Sequence, residues 1–317
     1  MIHPSRYIVH YDAQALNSAP HAEKREMLGV VIDGMLNGEI IAGNTAQCLA
    51  EDITGIDANR THEPVPFVTD TSHGQFSASL SLGLIRNTER LHGFINAIKR
   101  WPKQEGIIDV GSGTFPILAL AAAVYHPTAE VRAIEINPES AEASETIIEA
   151  FGMSDRVKVI NADIANYDID PNTTAAVTET FNCALQEEPG PKIVKLLHEN
   201  NVAIITPSRS ELRLSLPDGT FTQNIDLRHD THAEIAFDGW DNDDIDGLRI
   251  ISLSAAYYDD FGLVLPYDTD SISSDLHFSA SQILRNTMLR ANSGRLIYEL
   301  GAYPFAPKVK EPQLTSQ

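Results

Sequence analysis

Three carboxylates, Glu179, Glu187 and Glu188, flank an apolar middle of Phe181, Cys183, Ala184 and Leu185 in the stretch TETFNCALQEEP, residues 178 to 189. A carboxylate needs water or a donor, so acids at a strand end beside apolar residues either face solvent or await a cationic partner. Other acids stand where ligand-binding turns are made. The stretch IIDVGSGTF, residues 107 to 115, carries Asp109, Gly111 and Gly113 where a strand gives way to a helix. Glycines there let the backbone turn sharply and approach a ligand, and the helix start offers unpaired amides. Taken alone, the pattern also suits a tight strand-to-helix turn. Glu135 ends the next strand, 24 residues after Gly111, where a carboxylate can accept both hydroxyls of a ribose. Asp163 ends the third strand, placed either to accept from an adenine amino group or to fix its own loop. Either acid alone reads equally as a solvated loop residue; three at successive strand ends argue for a nucleoside-type ligand. The segment reads G-S-G-T-F-P, with Phe115 where a third glycine often stands and no phosphate-binding lysine. That disfavours a dinucleotide and suits S-adenosylmethionine, whose sulfonium fits acidic surroundings and which has no phosphates.

The elements that must position these residues follow from periodicity. GIIDV, VRAIEI, VKVINAD, TAAVTETF and VAIITP read as five strands, and PILALAAAVYHP, SAEASETIIEAFG and PKIVKLLHENN as intervening helices. This α/β alternation with short connections predicts a Rossmann-like parallel sheet covered by helices on both faces. Before it, helical spacing predicts helices over 22 to 40 and 81 to 100, separated by a tract with Pro64 and Pro66. After residue 210, apolar and polar residues alternate between turn signals, predicting a β-rich barrel or sandwich domain with one helix over 279 to 291. The predicted organisation is an N-terminal helical segment or lid over 1 to 80, a cofactor-binding Rossmann-like domain over 81 to 209 and a β-rich substrate-side domain over 210 to 317.

Composition narrows the partners. The 317 residues, 43% of them hydrophobic, suffice for a full core. A net charge of −21 repels a phosphate backbone, so nucleic acid and anionic membranes are not expected partners. No run of about 18 apolar residues and no signal peptide is found, which predicts a cytoplasmic protein. Two cysteines, Cys48 and Cys183, are expected as free thiols, and no Cys/His spacing predicts a metal.

DVGSGT, IEIN and NAD, in this order and spacing, resemble the motifs of class I S-adenosylmethionine-dependent methyltransferases. Within them, the chain is similar to the protein arginine methyltransferases over about residues 84 to 216. LIRNTERLHGFINAI supplies Arg90, Phe94, Ala97 and Ile98 in register with that family's helix before the glycine motif. TETFNCALQEEP matches its double-glutamate loop with Glu179 and Glu188, nine positions apart, and Pro207 and Arg209 align in the following strand. Phe115 replaces a glycine, Phe94 a tyrosine, and Thr180-Phe181 a Trp-Met pair. No Thr-His-Trp motif is found, His277 being the nearest candidate histidine, and no segment resembles the dimerisation arm inserted in the β half, for which the N-terminal helices could substitute in a homodimer.

The resemblance implies S-adenosylmethionine as cofactor, held with Arg90 on its carboxylate, and methylation of a guanidino group held by Glu179 and Glu188. A guanidinium offers its hydrogens in a planar fork that two carboxylates can grip from different sides. Adjacent residues of an extended segment point oppositely, so only one of Glu187 and Glu188 can face Glu179, and the spacing favours Glu188. Orienting the remaining nitrogen toward the methyl is worth roughly 7 to 11 kcal/mol. The altered protein-substrate elements point to free arginine or a small guanidino compound, with an arginine-containing peptide as the alternative. An oxygen or amine acceptor, or a non-catalytic binding protein of the same fold, are the other readings.

Overall fold

The structure, a computed structural model, describes residues 13–58, 77–181, 189–216, 219–236, 252–265, 290–292 and 295–299. Its centre is a five-stranded sheet of β1 (Gly106–Val110), β2 (Glu130–Glu135), β3 (Val157–Asn161), β4 (Ala175–Thr178) and β5 (Ile204–Thr206). The strands are all parallel, in the order β3-β2-β1-β4-β5. Every residue of β1 and β4 is buried, as central parallel strands covered on both faces require. The connections are α6 (Ile117–Tyr125), α7 (Pro138–Ala150) and α8 (Gly190–Glu199). From β1 the chain steps outward through β2 to β3, and from β4 the opposite way to β5. Right-handed crossovers therefore put α6 and α7 on one face and α8 on the other. The predicted parallel sheet and its helices are present.

The helices before the sheet differ from expectation in their breaks. α2 (His21–Leu36) stops short of residue 40 because Gly38 takes a left-handed φ of 70°. A helix the periodicity left unassigned, α3 (Ile40–Thr54), follows the short α1 (Ala13–Ser18) and α2. The single helix expected over 81 to 100 is instead α4 (Ala78–Gly83), a 3₁₀ turn (Leu84–Arg86) and α5 (Thr88–Arg100). Asn87 causes the restart: its side chain accepts from the Arg90 amide, and such a cap favours a new helix start over continuation. Leu28, Val31, Ile32 and Met35 of α2 belong to the same core as the sheet. Arg25 also donates to the Gly152 carbonyl at 2.9 Å, and the Tyr125 hydroxyl donates to Asp33 at 3.0 Å.

The β-rich half contains β6 (Arg209–Leu216), β7 (Gly219–Asp226), β8 (His232–Ala236), β9 (Ser252–Asp259), β10 (Gly262–Leu265), β11 (Arg290–Asn292) and β12 (Arg295–Glu299). They form a four-stranded sheet, β10-β9-β6-β7, and a three-stranded one, β11-β12-β8, with antiparallel pairing throughout. Among the described residues neither sheet closes, so a barrel is not shown. Arg290 and Ala291, expected at the end of a helix, are strand residues because they pair with Ile297 and Leu296 of β12.

α5 joins the two halves. Trp101 Nε1 donates to Thr206 Oγ1 at 3.1 Å, and that hydroxyl donates to Asp259 Oδ2 at 3.1 Å. Asp259 is fully buried and also accepts from the Phe261 amide at 2.8 Å. Gly93, in the middle of α5, lies where a Cβ would strike the Val264 carbonyl of β10. Gly93→Ala is expected to lower stability by about 1 to 3 kcal/mol through this overpacking, outweighing alanine's better helix propensity. A denaturant midpoint at or above that of the unsubstituted protein would contradict it.

Cys48 is a free, exposed thiol, and Cys183 lies outside the described residues. No helix among the described residues is long and apolar enough to cross a membrane.

Candidate active site

The sheet reverses its direction of growth between β1 and β4, and ligands of open parallel sheets bind in the crevice beyond the strand ends at such a point. The glycine turn lies there. Gly111 and Gly113 have φ of 75° and 68°, which a side chain would strain. The Gly111 and Ser112 amides donate to the Ile134 carbonyl at 2.9 and 3.1 Å, tying the turn to β2. A Cβ at Gly111 would meet the Thr180 methyl, and one at Gly113 would meet Ser81 Oγ.

Asp109 sits beneath this turn, 1% exposed, and its Oδ2 accepts from the Ala119 amide in the first turn of α6 at 2.9 Å. Burial pushes its pKa up to about 7; the Ala119 amide opposes this, and the charges of Glu135 and Glu179 add to it. The structure thus gives Asp109 a helix-capping contact below the crevice.

Glu135 is 7% exposed and braces the turn from β2. Its Oε2 accepts from the Gly113 amide and its Oε1 from the Asn137 amide, both at 2.8 Å. Burial raises its pKa, and the amides of Asn137, Gly113 and Ile136 pull it back. Each carboxylate oxygen has two lone pairs, so these contacts leave acceptor capacity for a diol. Asp163 accepts from the Ala165 amide at 2.9 Å and from Asn166 Nδ2 at 3.4 Å, contacts that fix its own loop.

Glu179 follows the end of β4. Arg90 of α5, 8% exposed, donates from Nε to Glu179 Oε1 and from Nη2 to the Phe181 carbonyl. The resemblance assigns Arg90 to a cofactor carboxylate and Glu179 to a substrate; the fold also pairs them with each other. The two residues beyond Glu179 are strapped in place. The Gly190 amide donates to the Thr180 carbonyl at 3.0 Å, and the buried Phe181 ring packs on Tyr257 of β9 with centroids 5.1 Å apart. Gly190 has no room for a Cβ, which would strike the Thr180 carbonyl and the Phe181 ring. Glu187, Glu188 and His277 lie outside the described residues, so the proposed partner of Glu179 does too.

Register explains how the acids converge. Asp109 is level with Ala133 of β2 and Val177 of β4. Glu135 comes two residues later on β2, where positions two apart share a face, and Glu179 comes just past the end of β4. Asp109 and Glu135 therefore emerge on one side of the sheet, Glu135 about 6.6 Å further along the strand direction.

Four residues of the site escaped the sequence reading. Ser81 Oγ of α4 accepts from the Thr114 amide at 3.0 Å, and Thr114 Oγ1 donates to the Ala78 carbonyl at 2.8 Å. Thr180 covers Gly111, and Ser112 Oγ is buried with no partner among the described residues. No local pattern marks Ser81, because its partners lie 32 and 33 positions away. Phe115, which replaces a glycine in the motif, leaves the turn clear: its ring is buried edge-on to Phe151, with centroids 6.1 Å apart.

No family model matches the sequence, and no curated protein matches it. Solved structures similar to the chain include the Trypanosoma brucei PRMT1 enzyme-prozyme heterotetrameric complex with AdoHcy. That match has 11% identity, 71% of this chain and 82% of the other covered, and a TM-score of 0.46. Arabidopsis thaliana protein arginine methyltransferase 10, in an open conformation, matches at 10% identity, covering 67% and 79% of the two chains, with a TM-score of 0.43. A SAM-dependent methyltransferase from Thiobacillus denitrificans, in complex with S-adenosyl-L-homocysteine, matches at 23% identity over 41% of this chain and 51% of the other, with a TM-score of 0.31.

Proposed function

We propose that this chain is an S-adenosylmethionine-dependent methyltransferase that methylates a guanidino group, with free arginine or a small guanidino compound preferred to an arginine-containing peptide. The observation that carries the reading is the pairing of Glu179 with a guanidinium, that of Arg90, beside a glycine turn braced by Glu135. A carboxylate already shaped to accept a guanidinium is suited to accept a second from its open side.

The cofactor fits the residues present. Glu135 has acceptor capacity for ribose hydroxyls, and the turn holds a buried hydroxyl, Ser112 Oγ, with no partner among the described residues. The neighbouring acids favour a cation, and no phosphate-binding lysine is found in the turn. Gly111 and Gly113 would let the backbone approach it, Asp109 would hold the turn from below, and Asp163 would border the adenine. Arg90 carries five donors, enough for Glu179, Phe181 and a cofactor carboxylate. When bound, S-adenosylmethionine supplies an electrophilic methyl on a cationic sulfur. Glu179, joined by Glu188, would hold the substrate fork so that one nitrogen faces that methyl, and a carboxylate would take the proton that nitrogen loses.

The preference for a small acceptor is supported by α4, whose Ser81 and Ala78 rest on the glycine turn and bring the N-terminal segment against the site. Incubation with methyl-labelled cofactor and either free arginine or arginine-rich peptides tests both parts. Label is expected on free arginine. Label on peptides alone would overturn the small-molecule preference, and label only on an amine or hydroxyl acceptor would overturn the guanidino reading.

A further inference from the structure

We propose that Asp109 sets the site's preference for the cationic methyl donor over its neutral thioether product, by releasing a proton when the donor binds and keeping it when the product binds. The inference rests on the proposed cofactor.

Among the described residues, Glu179 has the charged partner Arg90, whereas Glu135 and Asp109 accept only from backbone amides, two at Glu135 and one at Asp109. The elements packed against β1 bring it acid and little else. β2 contributes Glu135 at the near end, while its Arg132 lies at a register position on the other face and pairs with Glu130 and Asp170. Beyond β4 stands Glu179, whose charge Arg90 of α5 offsets. α6 has no charged residue and offers only the Ala119 amide. α4, over the turn, contains no ionisable side chain.

A buried carboxylate between two others holds its proton until a positive charge arrives, because an opposite charge favours the ionised form. With burial raising its pKa to about 7, Asp109 keeps a proton in a substantial share of molecules at about pH 6.5. A ligand cation in the crevice beyond these strand ends lowers that value and expels the proton. The donor and its product differ by one methyl group and one positive charge. Further desolvation is the same for both and small, since Asp109 is already 1% exposed. Only the charge separates their effects. The sign is fixed: donor affinity rises as pH rises toward 7 and levels off above it, because the cation binds better to the ionised form.

Isothermal titration of the full chain at pH 6.5, in buffers of different ionisation enthalpy, counts the protons exchanged with S-adenosylmethionine and with S-adenosylhomocysteine. The donor is expected to release a measurable part of a proton more than the product. Its affinity should weaken by up to about tenfold per pH unit below 7, while that of the product stays within about twofold. Asp109→Asn, which keeps an acceptor for the Ala119 amide, should bind both ligands with equal proton counts. Equal counts in the unsubstituted protein, with both ligands bound, would overturn the inference and leave the cofactor reading standing. Binding of neither ligand would overturn the cofactor reading and this inference with it.

Discussion

Glu179→Gln is expected to reduce methyl transfer by about a thousandfold or more, with S-adenosylhomocysteine affinity within a few fold of the unsubstituted protein. Glutamine keeps the shape and an oxygen that can accept from Arg90 Nε, so the contacts of Thr180 and Phe181 with Gly190 should stay in place. What is lost is charge. A neutral amide neither localises the positive charge of a substrate guanidinium nor takes its proton, and its NH₂ end repels the fork it should grip. Single-turnover transfer from preformed cofactor complex is the measurement, because it separates chemistry from binding. Activity close to that of the unsubstituted protein would remove Glu179 from the mechanism.

The second large effect falls on binding. Glu135→Ala removes the acceptor proposed for the ribose and leaves the Gly113 and Asn137 amides without their partner. Hydrogen bonds to charged groups are worth about 1.5 to 3 kcal/mol each. Losing two weakens S-adenosylhomocysteine by about a hundredfold or more, at about 1.4 kcal/mol per tenfold. Thermal unfolding should fall only modestly, since β2 keeps its parallel pairing with β1 and β3. Titration calorimetry reads the affinity, and an unchanged dissociation constant would place the nucleoside elsewhere.

These two glutamates differ in how they could be found. The position of Glu135 was readable because its relation to the glycine turn is local: a strand, a short turn and a helix set the distance from Gly111, while its contact with the Gly113 amide came only with the structure. Glu179 was readable as an acid at a strand end, but its partner was not. Arg90 lies 89 positions away, and only the order β1-β4-β5 with α5 packed alongside brings them together. The break at Asn87 shows the limit of periodicity. Apolar spacing runs through residues 84 to 98, yet one side chain accepting a backbone amide restarts the helix and turns Arg90 into a first-turn residue.

Local repetition therefore determined the alternating strands and helices, the glycine turn and the acids at successive strand ends, because each depends on neighbours a few residues away. The tertiary structure decided which of those acids keeps company with which cation, that Ser81 and Thr180 close on the two glycines, and that Phe115 turns into the core rather than across the turn. Those outcomes depend on contacts between elements distant in sequence. Side-chain volume and hydrogen-bond capacity settle them only once the sheet order has set which surfaces meet.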